Sequence, residues 1–218
     1  GGNLLQRTRC PYFFDTAYDA CNKRRPGSGC AALGGFARNH AILGASDACI
    51  AVNPSDMSVA LVALDALVQL RSAHGSRRLP LAEFQRLPGD TPQLDSDLAP
   101  GEMITAIDIP ANRWQKHSVY LKVRDRASFA FALVAVAAAL EIEDGVIRDG
   151  RVVLGGVAHK PWPVAPAAGL MRGQRPSREL FQAVAEEALR GAAPRRGNEF
   201  KVPLGKRAVV RALTLAST

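Results

Sequence analysis

The sequence predicts an α+β chain, and three observations carry that prediction. Residues Met103 to Ile109 alternate apolar and polar side chains, as a half-buried strand does. Two strand-like runs, Glu141 to Ile147 and Arg151 to Val157, flank Asp149-Gly150, a pair suited to a hairpin turn, so their sheet is expected to be antiparallel. From Arg178 to Arg190 the apolar residues Leu180, Phe181, Val184 and Leu189 recur at nearly helical spacing, and a Gly- and Pro-bearing run from Gly191 to Gly197 ends the segment. At 218 residues, 47% of them hydrophobic, the chain is long enough to bury a core of one large or two small domains.

Charge and targeting exclude more than they assign. The formal net charge of +8 tolerates an anionic partner. No basic stripe interleaved with aromatic residues accompanies it, so a nucleic-acid partner is not expected. No apolar run reaches the roughly 18 residues that a membrane helix needs, and no membrane span is expected. No signal peptide is visible and the sequence opens on Gly1, which points to a processed chain or a piece of a longer polypeptide.

All four cysteines, Cys10, Cys21, Cys30 and Cys49, fall in the first quarter of the chain, which argues against a disulfide framework for the whole fold. The gaps between them hold ten, eight and eighteen residues, wider than the paired knuckles of zinc ribbons. Four thiolates also serve an iron-sulfur cluster, which tolerates irregular spacing in a wrapping loop. Arg7, Arg9, Lys23, Arg24, Arg25 and Arg38 are suited to offsetting an anionic centre, and Gly27, Gly29, Gly34 and Gly35 to letting backbone amides approach sulfur. Spacing and charge leave a cluster, a structural zinc and unligated cysteines all open.

After this loop the elements read in order. Pro54 to Leu70 opens a helix and then a strand, with Asp56 a candidate N-cap and Val59, Leu61, Val62, Leu64 and Leu67 core residues. Leu79 to Phe84 is a strand end followed by a helical turn, and Leu87 to Pro100 a surface loop. Ala111 to His117 reads as a linker, dividing the chain into residues 1–110 and 111–218. Val119 to Val123 is a short strand with Lys122 as a snorkelling edge residue. The alanine-rich Phe129 to Leu140 is expected to be a helix, and Lys206 to Leu215 a final one whose Lys206, Arg207 and Arg211 face solvent or a partner. His159 reads as structural. No catalytic triad, paired-carboxylate motif, P-loop or His-Glu-x-x-His element is present, so any chemistry belongs to cofactors.

With these residues in view the chain resembles the FAD-binding subunit of the xanthine dehydrogenase family of molybdenum hydroxylases. It is most similar to the flavin subunits with an additional 4Fe-4S cluster, as in bacterial periplasmic aldehyde oxidase and 4-hydroxybenzoyl-CoA reductase. The resemblance rests on Gly1-Gly2-Asn3-Leu4-Leu5 and on Asn53-Pro54-Ser55-Asp56 with the apolar helix after it. Between them lies an insertion, about residues 7–50, that holds every cysteine. Pro100 to Ile104, Tyr120 to Arg124 and Leu154 to Trp162 add further signposts.

The resemblance implies the C-terminal lobe of a PCMH-type FAD-binding domain, followed by a smaller α+β domain with an antiparallel sheet and packed helices. It implies FAD contacts at Gly1, Gly2, Asn3, Leu5, Gln6, Asp56, Ile104 and Lys122, and a 4Fe-4S cluster on Cys10, Cys21, Cys30 and Cys49. The implied partners are a large molybdenum-cofactor subunit and a small 2Fe-2S subunit, with electrons leaving through FAD to an external acceptor. The family's N-terminal lobe, whose loop holds the FAD pyrophosphate, has no counterpart here. Export with a signal-bearing partner to the periplasm and a cytoplasmic home are both compatible with the chain. The rival expectations are a zinc-stabilised basic binding module and an assembly fragment that holds partner subunits without flavin.

Overall fold

In the computed structural model, residues 2–218 are described. The cysteine-bearing excursion is mostly irregular, with a one-turn helix α1 (Pro11–Phe14) and a 3-10 turn at Ala31–Leu33. Helix α2 (Asp56–Ala63) follows, and then β1 (Leu67–Ser72), β2 (Gly75–Pro80), the single turn α3 (Leu81–Phe84) and β3 (Met103–Asp108). These strands form an antiparallel sheet in the order β2-β1-β3. A second antiparallel sheet, ordered β4-β5-β6-β7, comprises β4 (Ser118–Val123), β5 (Val134–Glu143), β6 (Val146–Gly155) and β7 (Trp162–Pro163). Helices α4 (Ala167–Met171), α5 (Arg178–Ala188) and α6 (Lys201–Ala216) complete the chain. Among the described residues no helix is long and apolar enough to cross a membrane.

Four expectations need correction. The alanine-rich segment is not a helix: β5 begins at Val134 and runs as a central strand between β4 and β6. Both its faces are buried, and a strand covered on both sides lacks the polar alternation that identifies one in sequence. The hairpin turn falls at Asp144-Gly145 (φ 53° and 72°), joining Glu143 to Val146, and not at Asp149-Gly150. Gly150 lies inside β6, where a Cβ would stand 2.5 Å from the Met171 side chain, so its role is packing. Helix α6 starts five residues early, at Lys201, with Pro203 in the first turn where a missing N–H costs nothing. Finally Ser55, not Asp56, caps α2, its hydroxyl accepting from Ser58 N at 3.1 Å. Asp56 is the first helical residue, which leaves its carboxylate available to other partners.

Two cores share the second sheet. Val134, Val136, Leu140, Val152 and Leu154 face α4, α5 and α6 in the larger core. Ala137 and Val153, on the opposite face, join Val59, Leu61 and Val62 of α2 and Val68 and Leu70 of β1. Small residues on that face let α2 come close. At Gly155 an added Cβ would meet Val59 Cγ2 at 2.6 Å.

The cysteine loop is stitched to the second sheet by backbone. Ile42 N and Leu43 N both donate to Val157 O (2.9 and 3.0 Å), and Asn53 N donates to Ala158 O at 3.0 Å. Lys201, fully buried, donates from Nζ to His40 O (3.0 Å) and Gly156 O (2.8 Å). Burial, helped by Arg38, pushes its ammonium down to about 7.

Two outcomes are expected. Gly155→Ala should destabilise the protein by about 1–3 kcal/mol through overpacking against the stiff Val59 side chain. Combining it with Val59→Ala should recover part of that loss in denaturant midpoints, whereas simple additivity would show that the extra methyl finds room. Lys201 binds its proton more weakly folded than unfolded, so from about pH 7 to about pH 8.5, below the ordinary thiol range, the unfolded state holds more protons on this group and its contribution makes stability rise with pH. The slope approaches ~1.4 kcal/mol per pH unit for one proton, and it should vanish in Lys201→Met.

Candidate cofactor and metal site

The two sequence motifs meet in space through a short polar chain. Asn3 Oδ1 accepts from Ser55 Oγ at 2.9 Å and from Gln6 Nε2 at 2.9 Å. Ser58 Oγ donates to Ser55 Oγ at 2.9 Å, and Ser55 N donates to Asn53 Oδ1 at 2.8 Å. The turn at residues 2–5 is thereby fixed to the N-terminus of α2, with Leu4 buried beneath it in the α2 core. Gly2 and Leu5 are exposed, Leu5 by 40%, and Gly1 lies outside the described residues.

Asp56 is held from the second sheet. Lys122 Nζ reaches its Oδ2 at 2.7 Å, and Tyr120 OH donates to its Oδ1 at 2.7 Å. Tyr120 and Lys122 share one face of β4, two residues apart, so both aim at the same carboxylate. Burial, reinforced by the hydrogen bond to Asp56, pushes the Tyr120 phenol well above its ordinary value, so it remains a donor. Tyr120 was not singled out from sequence, although its two-residue offset from Lys122 was the available signal. Ile104 is placed apart from this group: half-buried opposite Leu70, it packs on the α2 core.

Beside Asp56 opens a cavity of about 400 Å³, bounded by Asn53, Asp56, Arg9, Cys10, His40 and Phe131. Its size falls within the range of small-molecule sites. Exposed aromatic residues rim it: Phe129, 95% exposed, and Phe131, over which the Arg9 guanidinium lies 5.4 Å from the ring centre. At its edge stands Asp56, a carboxylate oriented by a cation and a neutral phenol from β4 and suited to hydrogen bonding with a polar planar ligand such as a flavin. The chemistry of this part of the chain therefore fits one end of FAD.

All four cysteines line a second, tighter cavity together with Thr8, Tyr12 and Lys23. They form no disulfide. Cys21 and Cys30 are brought together by an antiparallel bridge, with Asn22 N donating to Gly29 O at 2.7 Å and Ala31 N to Ala20 O at 2.8 Å. Ser46 and Cys49 pair in the same way. The donor set fits a four-thiolate centre. The cavity holds about 10 Å³, the room one water needs. Among the described residues no group of three or more His, Cys, Asp or Glu stands in ready-made metal geometry.

The supporting cast differs from the sequence expectation. Gly27 and Gly29 (φ 82° and 93°) serve the turn between Cys21 and Cys30, while the amides that approach sulfur are those of Tyr12, Phe13 and Ala51. Arg7 pairs with Asp95 at 2.6 Å and Arg38 with Asp125 at 2.7 Å, so these cations are spent on carboxylates. Arg24 instead grips the carbonyls of Tyr12, Phe13, Asp15 and Tyr18. Lys23, buried and bonded to Asp95 Oδ1 (2.5 Å) and Pro92 O (2.6 Å), is the cation that favours a thiolate at Cys49. Burial lifts Cys10 to about 11 and raises Cys49 as well, so without a metal both are thiols and ligation must release their protons.

His159 is buried with its Nδ1 3.0 Å from Arg86 O, and burial together with Lys23 lowers its pKa to about 4. His40 was not anticipated. Its Nε2 lies 3.1 Å from Cys10 Sγ, and burial, with Lys201 nearby, lowers it to about 4.

Known proteins resemble this chain along its whole length. Residues 1–112 match the family described as FAD binding domain in molybdopterin dehydrogenase, and residues 119–216 match the CO dehydrogenase flavoprotein C-terminal domain. The aldehyde oxidoreductase FAD-binding subunit PaoB of Escherichia coli (strain K12) is 52% identical over 217 residues, covering 99% of this chain and 64% of that protein. The glyceraldehyde dehydrogenase medium chain of Sulfolobus acidocaldarius is 32% identical over 164 residues, 74% of this chain and 54% of its own. The chain thus spans less than two thirds of each of these relatives. Among solved structures, reconstituted CO dehydrogenase from Oligotropha carboxidovorans aligns with a TM-score of 0.67 at 20% identity, covering 96% of this chain and 68% of that one. Quinoline 2-oxidoreductase from Pseudomonas putida 86 gives 0.64 at 22% identity over the same shares. At that identity the likeness speaks for the fold, a PCMH-type flavin domain with its C-terminal companion. The chain belongs to the xanthine dehydrogenase family of molybdenum hydroxylases, within its FAD-binding flavoproteins.

Proposed function

We propose that this chain is the larger part of the FAD and 4Fe-4S subunit of a molybdenum-dependent aldehyde oxidoreductase. It would work beside a large molybdenum-cofactor subunit and a small 2Fe-2S subunit, in the periplasm or the cytoplasm, and serve an external electron acceptor. The observation that carries the reading is the grip of Lys122 and Tyr120 on Asp56, which lines the cavity together with Ser55, itself bonded to Asn3. The 52% identity to a protein named as an aldehyde oxidoreductase FAD-binding subunit supports the substrate class. Residues 1–110 would supply the flavin lobe and the thiol loop, and residues 111–218 the sheet that carries Lys122.

When bound, FAD supplies two-electron redox chemistry that side chains lack. In this reading Gly1, Gly2, Asn3, Leu5 and Gln6 lie along the cofactor and Asp56 hydrogen-bonds it. Lys122 places a cation where negative charge collects on reduction, and Ile104, packed on the α2 core apart from Asp56, would meet the ring only by its exposed part. Tyr120 keeps Asp56 oriented while the cofactor is absent. Cys10, Cys21, Cys30 and Cys49 would hold the cluster, whose one-electron chemistry needs no proton from the protein. Four free thiols lining one cavity also admit a single zinc ion as the second reading, in which the loop is a purely structural staple.

Two measurements test this. The anaerobically purified full-length subunit should absorb broadly near ~400 nm with about four irons per chain, and Cys21→Ser should abolish both. One zinc and no iron would select the staple. Asp56→Ala should weaken FAD retention about 10- to 100-fold, the value of one or two charge-assisted hydrogen bonds. Lys122→Met should in addition lower the flavin reduction potential. Unchanged flavin content and potential in both variants would detach this cluster from the cofactor.

A further inference from the structure

His40 is placed before any metal arrives. Its amide donates to Ala37 O at 2.8 Å, and its carbonyl accepts from Lys201 Nζ at 3.0 Å and from Asn198 Nδ2 at 3.3 Å. Those two donors come from the start of α6 and the turn before it, so the backbone of His40 is fixed by the second half of the chain. The ring, on a residue only 3% exposed, then points Nε2 at Cys10 Sγ, 3.1 Å away.

The tautomer follows from what surrounds the other ring nitrogen. His40 Nδ1 is buried and has no hydrogen-bond partner. A neutral imidazole carries one N–H. Set on Nδ1, that hydrogen would be an orphaned buried donor with its full desolvation penalty, whereas an unpaired acceptor is better tolerated. Set on Nε2, it meets sulfur. A metal-bound thiolate at Cys10 has no proton to give, so with the centre in place the hydrogen bond runs from imidazole to sulfur.

Cys10 is also the cysteine that lines both cavities, the tight one shared by the four thiols and the larger one beside Asp56, and His40 lines the larger one with it. We propose that His40 is a positioning residue for the thiol-bound centre, donating Nε2–H to the Cys10 sulfur to orient that ligand and raise the reduction potential of the cluster. The proposal rests on the cluster reading given above. Hydrogen bonds to ligating sulfurs draw charge from the metal and favour its reduced state.

The test compares the full-length subunit in its complex as wild type, His40→Leu and His40→Gln, by iron and flavin counts and by EPR-monitored redox titration at one fixed pH. His40→Leu is expected to shift the cluster midpoint potential to a more negative value with iron and flavin unchanged. His40→Gln, which retains an N–H donor, should recover at least half of that shift. A potential unmoved in His40→Leu overturns the role of His40 while leaving the cluster intact. A wild type without iron overturns the cluster reading and this inference with it. Should His40→Leu fail to fold, ¹⁵N NMR of the histidine-labelled wild type decides: a hydrogen on Nε2 is expected, and one on Nδ1 overturns the proposal.

Discussion

Four backbone positions at the end of β6, Gly155 to Ala158, set the distances on which the rest of the molecule depends. Gly155 admits α2 to the sheet because it has no side chain to hold Val59 away. Gly156, at φ +72°, could carry a Cβ only at 2.9 Å from Ala132 O, so the wall of the larger cavity is closed against a bare backbone. Its carbonyl receives Lys201, while those of Val157 and Ala158 receive the amides of Ile42, Leu43 and Asn53. The helix bearing Asp56, the loop bearing the thiols and the start of α6 are thus all registered to one stretch of main chain. Amide bonding of this kind is indifferent to side-chain identity, which is why the cysteine loop can be long and irregular and still return to a fixed place.

Charge is handled locally. Asp95 serves as the hub on the outer side of the thiol loop: burial raises its pKa, yet Lys23 and Arg7 outweigh this and hold it below the usual carboxylate range. Lys201 is the opposite case, a buried ammonium whose hydrogen-bond partners are two carbonyl oxygens. Carbonyl dipoles compensate a cation only in part, and the depressed proton affinity is the measure of the shortfall.

The strands and helices bordered by polar residues were legible in sequence, among them β3, β4 and α5. The central strand was not, because Val134 to Leu140 shows no polar side chain. Its period was present in size instead: valine or leucine at 134, 136 and 140 faces the helices, and alanine at 135, 137 and 139 faces the thinner gap on the other side. Two Asp-Gly pairs five residues apart were equivalent as turn signals, and only packing against Met171 distinguishes them. At the site, Asp56 and Lys122 were singled out separately and lie 2.7 Å apart. His40 was invisible as a site residue, since what makes it so is contact across the loop and nothing in its spacing, while Arg24 was singled out for its charge and is used instead to grip carbonyls.

Arg24 gives the thiol loop a property that ligand chemistry alone would not. Its guanidinium is bonded to four carbonyl oxygens of the segment from Tyr12 to Tyr18 and to no sulfur. Those bonds involve main-chain oxygens alone, so they do not depend on the state of any thiol. The α1 segment beside Cys10 therefore keeps its course whatever the thiols do, as in a socket with one rigid jaw.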